Sequence, residues 1–132
     1  MAEMTQQIVG TPVLVDIVIP VFNEEMAVAA FHQQLRQVID PISEFHFSIY
    51  YVNDGSTDRT QAVLEHIAAS DGRVTVLELS RNFGQQAALT AGLDQTTGQY
   101  VITMDGDGQH PPDMLLEMLR LAQAGYDVVI TQ

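Results

Sequence analysis

Asp105, Asp107 and Gln109 stand on alternating residues directly after an apolar, strand-like run from Tyr100 to Met104. Two carboxylates and a carboxamide at that spacing are oxygen ligands of the kind that a hard cation takes, Mg²⁺ or Mn²⁺. A site with so few protein ligands leaves coordination positions for the oxygens of a diphosphate, so the stretch points to nucleotide chemistry. Three further polar clusters break the apolar pattern: Pro20 to Glu25, Asn53 to Asp58 and Ser80 to Gly84.

The elements that must position these clusters alternate in type. Val13 to Ile19 is a near-continuous apolar run closed by Pro20, which predicts a central parallel strand covered on both faces. Val28, Phe31, Leu35, Val38 and Ile39 recur at helical spacing before Pro41. Phe45 to Val52 predicts a second strand, followed by a helix with Ser56 as N-cap, Asp58 in the first turn and Val63, Leu64, Ile67 and Ala68 as its buried stripe. Val74 to Leu79 predicts a third strand, Gly84 to about Thr96 a third helix, and Tyr100 to Met104 a fourth strand. Pro111 and Pro112 suit the first turn of a helix running to Ala124, with Met114 and Met118 facing the core, and Tyr126 to Ile130 predicts a fifth strand.

The fold class is therefore α/β: a Rossmann-like open, mostly parallel sheet with helices on both faces. All four polar clusters fall at the carboxyl ends of strands. In a doubly wound sheet those ends share one edge, and ligands bind in the crevice where the strand order reverses. With order 3-2-1-4-5 that crevice lies between the first and fourth strands.

With 132 residues, 46% of them apolar, the chain reads as one domain over 1–132 with one core. Its net charge is −12, its five basic residues are all arginine, and no nucleic-acid footprint is present. Such acidity repels a phosphorylated ligand unless a cation or local arginine intervenes, which favours a cation at Asp105 and Asp107. The absence of cysteine excludes disulfides, thiolate metal sites and a cysteine nucleophile. Met1 to Gln7 has no signal-peptide character and no run approaches a membrane span, so these residues are expected to be cytoplasmic. The abrupt stop after Tyr126 to Ile130 suggests a truncated chain.

Several phosphate and cation motifs are excluded. Neither G-x-G-x-x-G nor G-x-x-x-x-G-K-[ST] follows the first strand, where Pro20-Val21-Phe22-Asn23-Glu24-Glu25 stands instead. The acidic loops starting at Asp54 and Asp105 begin like EF-hands, but their sixth positions are Arg59 and His110 rather than glycine, and strands replace the entering helices.

Pro20-Val21-Phe22-Asn23-Glu24, Val52-Asn53-Asp54-Gly55-Ser56-Thr57-Asp58, Ser80-Arg81-Asn82-Phe83-Gly84 and Asp105-Gly106-Asp107-Gly108-Gln109-His110-Pro111-Pro112, in this order and spacing, resemble the family 2 glycosyltransferases of GT-A fold. The likeness is strongest to the polyprenyl-phosphate branch, the dolichyl-phosphate mannosyltransferases and undecaprenyl-phosphate sugar transferases, and it covers the N-terminal part of such proteins. The resemblance implies that Pro20, Phe22, Asn23 and Glu24 line a base and ribose pocket and that Asp54 accepts a hydrogen bond from the base. It implies that Asp105, Asp107 and Gln109 form the metal motif, Asp105 and Asp107 being the catalytic pair. Arg81, the arginine of the loop from Ser80 to Gly84, is placed on the same rim to bind the nucleotide by facing a phosphate or to pair with a rim carboxylate. Gln85 stands where the family often has lysine, which removes a cation, and Gly108 where relatives often carry an apolar residue.

The implied activity is inverting, metal-dependent transfer of a hexose from a UDP- or GDP-sugar to a polyprenyl phosphate at the cytoplasmic face of a membrane. Membrane contact would come through a missing C-terminal part, without which residues 1–132 are expected not to turn over. A saccharide acceptor and a non-catalytic nucleotide-sugar-binding module are the alternatives, and assembly as a homo-oligomer stays open.

Overall fold

The computed structural model describes residues 12–106 and 114–125. Their elements run β1 (Val13–Val21), α1 (Val28–Ile39), β2 (Phe45–Asn53), α2 (Thr60–Ser70), β3 (Val74–Glu78), α3 (Gln85–Leu93), β4 (Tyr100–Thr103) and α4 (Leu115–Gln123). The strands form one sheet in the order β3-β2-β1-β4, every pairing parallel. The expected order is thus reproduced for four strands, while the fifth, Tyr126 to Ile130, lies outside the described residues.

Register follows from the apolar alternation. Val15, Ile17, Ile19 and Val21 of β1 and Phe45, Phe47, Ile49 and Tyr51 of β2 point to one face, where Phe31, Leu35 and Ile39 of α1, Leu64 and Ile67 of α2, and Leu115 and Leu119 of α4 cover them. Each such side chain, fully buried, contributes about 1.5–3 kcal/mol. The opposite face is thinner: Val18 and Val52 pack against Ala88 of α3. Gly92 lets α3 approach, since a Cβ there would lie 2.4 Å from Val18 Cγ1 and 3.0 Å from Val52 Cγ2.

Three local expectations are corrected. Ser56 does not cap α2, which starts at Thr60; its hydroxyl donates instead to Asn53 Oδ1, and Asp58 Oδ1 accepts the Thr60 N–H at 2.9 Å. α3 ends at Leu93 rather than near Thr96, whose hydroxyl bonds back to the Leu93 carbonyl. Met114 is 60% exposed and the core is filled by Leu115 and Leu119, one residue on. The proline start of that last helix lies outside the described residues.

Two buried acids hold the frame away from the rim. Asp16, within the apolar run of β1, accepts the N–H groups of Thr97 and Gly98 at 2.8 and 2.7 Å and so fixes the entry to β4. Asp71 accepts from the Arg73 guanidinium in two bonds of 2.9 Å and meets His32 Nε2 at 3.0 Å, while His32 Nδ1 lies 2.7 Å from the Tyr51 hydroxyl.

Candidate functional site

The carboxyl ends of β1, β2 and β4 do share one rim. Asp54 N–H donates to the Val21 carbonyl, Leu79 N–H to the Asn53 carbonyl and Met104 N–H to the Val18 carbonyl, so each strand hands its exit loop to the same edge. A cleft of about 190 Å³ opens there, lined by Pro20, Val21, Phe22, Glu24, Asp54, Gln85, Asp105 and Gly106. Pockets that bury a whole small ligand run to about 300–1,000 Å³, so this one has room for part of a nucleotide.

Five of the expected site residues meet in this cleft. Pro20 still pairs in register with Val52, and Phe22, just past the strand, is 43% exposed and offers a ring edge or face to a ligand. Glu24 lies in the turn before α1, where its carbonyl accepts the N–H groups of Ala27 and Val28. Asp54 is 4% exposed, and its two carboxylate oxygens accept Phe83 N–H at 2.8 Å and Gly84 N–H at 3.1 Å. Asp105 comes from the opposite wall, its Oδ1 accepting from Gln85 Nε2 at 3.3 Å.

Two expected residues take other positions. Asn23 is absent from the lining; its Oδ1 accepts Thr57 N–H at 2.8 Å, and its own backbone lies at φ +53. Arg81 is exposed, its guanidinium carbon over the Phe83 ring at 4.1 Å from the centroid, outside the lining. Asp107, Gln109 and His110, with Gly108, Pro111 and Pro112, lie outside the described residues.

Sequence reasoning missed the part played by Gln85. Read as the loss of a cation, it instead lines the cleft and donates to Asp105. Its place as the first residue of α3, directly after Gly84 at φ +101, was the available signal, because a helix start on the rim aims its first side chains at the crevice. Gly106 also lines the cleft, and a Cβ there would fall 2.7 Å from Val21 Cγ1.

Among the described residues no three His, Asp or Glu side chains converge into a metal cage. Asp105 brings one carboxylate to the cleft, and a Mg²⁺ site uses one or two carboxylates together with ligand phosphates and water.

The family description "Glycosyl transferase family 2" matches residues 16–132. A bactoprenol glucosyl transferase of Shigella phage SfX is 39% identical over 118 residues, which cover 89% of this chain and 38% of that protein. An undecaprenyl-phosphate 4-deoxy-4-formamido-L-arabinose transferase of Pseudomonas fluorescens (strain SBW25) is 40% identical over 118 residues, covering 89% of this chain and 34% of the relative. The chain thus spans little more than a third of the length of these relatives. Among solved structures, a mannosyltransferase of Pyrobaculum calidifontis in complex with GDP-Man and Mn²⁺ superposes with a TM-score of 0.68 at 22% identity, over 80% of this chain and 30% of the other. That likeness shows a shared fold.

Proposed function

The chain belongs to glycosyl transferase family 2, and from that premise we propose that it is the nucleotide-sugar-binding part of an inverting, metal-dependent hexosyltransferase. The donor is a UDP- or GDP-sugar and the acceptor a polyprenyl phosphate, the lipid class named in the two relatives above. The observation that carries the reading is the cleft that joins Phe22, Glu24 and Asp54 to Asp105 across the ends of β1, β2 and β4.

In this reading Pro20, Phe22 and Glu24 frame the base and ribose. Asp54 accepts an N–H of the base, which uracil and guanine both present, through lone pairs beyond those that face Phe83 and Gly84. Asp105, with Asp107 and Gln109, would hold a divalent cation, Mg²⁺ or Mn²⁺, for the diphosphate. When bound, that cation stabilises the charge that grows on the leaving diphosphate. Gln85 keeps one Asp105 oxygen engaged and would so orient the carboxylate as a ligand.

A phosphate acceptor arrives with an anionic oxygen and attacks the anomeric carbon without needing a strong general base. Among the described residues no helix is long and apolar enough to cross a membrane. The chain spans little more than a third of the length of the two relatives above, and contact with a membrane-borne acceptor is assigned to the part of such a protein that it does not cover. On that ground residues 1–132 bind donor and do not turn over.

Titration calorimetry with UDP-glucose and GDP-mannose, with and without Mn²⁺, tests the reading. Binding of one of them is expected to strengthen with Mn²⁺, and Asp107→Asn to abolish that gain. Unchanged Mn²⁺-dependent affinity in Asp107→Asn would overturn the metal assignment, and detectable sugar transfer by residues 1–132 would overturn the division of labour.

A further inference from the structure

Phe22 and Glu24 line the cleft, yet they lie beyond the last residue of β1 and before the first of α1, where no ladder holds the backbone. What holds it is the loop after β2. Three consecutive backbone N–H groups are each accepted by a side-chain oxygen of that loop or of the first residue of α2: Asn23 by Ser56 Oγ at 2.9 Å, Glu24 by Thr60 Oγ1 at 2.9 Å and Glu25 by Asp58 Oδ2 at 3.3 Å. The grip is reciprocal, because Asn23 Oδ1 accepts Thr57 N–H at 2.8 Å and the Thr57 hydroxyl at 3.3 Å.

The accepting oxygens are themselves held in place. The Ser56 hydroxyl donates to Asn53 Oδ1 at 2.5 Å, and Asn53 Nδ2 donates to Gln61 Oε1 at 2.8 Å. The Thr60 hydroxyl donates to Asp58 Oδ1 at 2.5 Å. Asn23 completes the arrangement with its left-handed backbone at φ +53, which asparagine tolerates better than most residues.

We propose that Asn23, together with Ser56 and Thr57, is a positioning clamp that presets Phe22 and Glu24 for the nucleotide, and is not itself a nucleotide ligand. The inference rests on the nucleotide reading above. Its physical advantage is that the loop's conformational freedom is lost on folding rather than on binding, which raises affinity without adding a contact.

A double-mutant cycle on the whole chain separates a clamp from a ligand. Asn23→Gly keeps the positive φ and removes the acceptor for Thr57; Ser56→Ala removes the acceptor for Asn23 N–H. Hydrogen exchange at the amides of Asn23, Glu24 and Glu25 is followed without nucleotide, and UDP and GDP are titrated in the presence of Mn²⁺. Each single change is expected to speed exchange at all three amides together and to weaken nucleotide affinity by about tenfold, and the double change to be no worse than either single, as members of one coupled unit behave. Asn23→Asp keeps the acceptor and is expected to keep the protection.

Losses that add in the cycle would make Asn23 an independent contact and overturn the proposal. So would faster exchange with unchanged affinity. Should the unsubstituted chain bind neither UDP nor GDP, the nucleotide reading falls, and the exchange data still judge the clamp. Three amides that open together on either substitution support it; amides already unprotected in the unsubstituted chain overturn it.

Discussion

Replacing Gly55 by alanine puts the meeting of the loops after β2 and β3 to a quantitative test. Gly55 lies at φ +66, and a Cβ there would fall 2.1 Å from the Arg81 carbonyl carbon, 2.2 Å from Asn82 N and 2.6 Å from Arg81 O. Ordinary contact begins at 3.4 Å, so the two backbones must part by about 1.3 Å, the difference between that distance and the shortest of these. Two costs follow. An L residue in the left-handed region costs about 1–2 kcal/mol. Parting the loops also stretches the bonds by which Asp54 accepts Phe83 N–H (2.8 Å) and Gly84 N–H (3.1 Å) beyond useful length. Each charge-assisted bond is worth about 1.5–3 kcal/mol, of which water at an exposed loop recovers part.

The expected total is about 3–5 kcal/mol, which in a chain of this size lowers Tm by roughly 10–20 °C. Urea unfolding followed by circular dichroism measures it, and two other glycines supply internal controls. Gly125 lies at φ +96 with nothing among the described residues within 4 Å of an added Cβ. Gly125→Ala therefore reports the backbone cost alone, about 1–2 kcal/mol. Gly72 has neither feature, and Gly72→Ala should stay within about 0.5 kcal/mol of the parent. If Gly55→Ala costs no more than Gly125→Ala, the loops are not in the contact described and the reasoning fails.

Burial holds His32 below its ordinary value of 6.5 against the opposing pull of Asp71, and the Arg73 guanidinium holds Asp71 well below 3.8. Both folded values are depressed, so stability measured by urea midpoint is expected to fall below about pH 6.5 as His32 takes up a proton, and again below about pH 3.8 as Asp71 does. Asp71→Asn should cost about 2–3 kcal/mol at pH 7, less than a fully buried pair because Arg73 keeps Asp40 at 2.9 Å, and should erase the lower step; an unaltered acid limb would refute the assignment. Asp16→Ala leaves the Thr97 and Gly98 amides without their acceptor and should cost about 2–3 kcal/mol in the same assay with no effect on nucleotide titration beyond that of reduced folding. Gln85→Leu, which removes the donor to Asp105, should weaken the Mn²⁺-dependent part of nucleotide binding by about tenfold while leaving the metal-free part unchanged in calorimetry.

The strands and their shared rim were legible because their signal is local. A run such as Val13 to Ile19 must be covered on both faces, and four polar clusters at strand ends can face only one edge of a parallel sheet. What escaped was set by partners distant in sequence. Ser56 looks like an N-cap until Asn23, 33 residues away, donates its N–H to it. Asp16 reads as an interruption of a strand, and only the turn at Thr97 and Gly98 explains it. The pairing of His32 with Asp71 spans 39 residues and has no local signature. The exchange of Met114 for Leu115 in the core is a one-residue rotation of a helix whose starting turn cannot be fixed by periodicity alone.

Asp54 shows why a site residue found by pattern needs its structural duties separated from its chemical ones. Its two oxygens each accept a backbone N–H of the loop after β3, and Gly55 beside it lets that loop's backbone approach closely. An asparagine there would present one oxygen and one NH₂ group, and the NH₂ would face the N–H of Phe83 or Gly84, donor against donor. The fold therefore demands an acid at this position before any nucleotide is considered. In the proposed reading, base recognition would have to use what the loop leaves over, and a carboxylate offers about four lone-pair sites, so two loop amides do not exhaust it. It follows that a base bonded to Asp54 would be held by the same carboxylate that holds Phe83 and Gly84, one residue before Gln85 and its partner Asp105. Base and diphosphate ends of the cleft would then be joined through one short stretch of backbone, 83–85, rather than recognised independently.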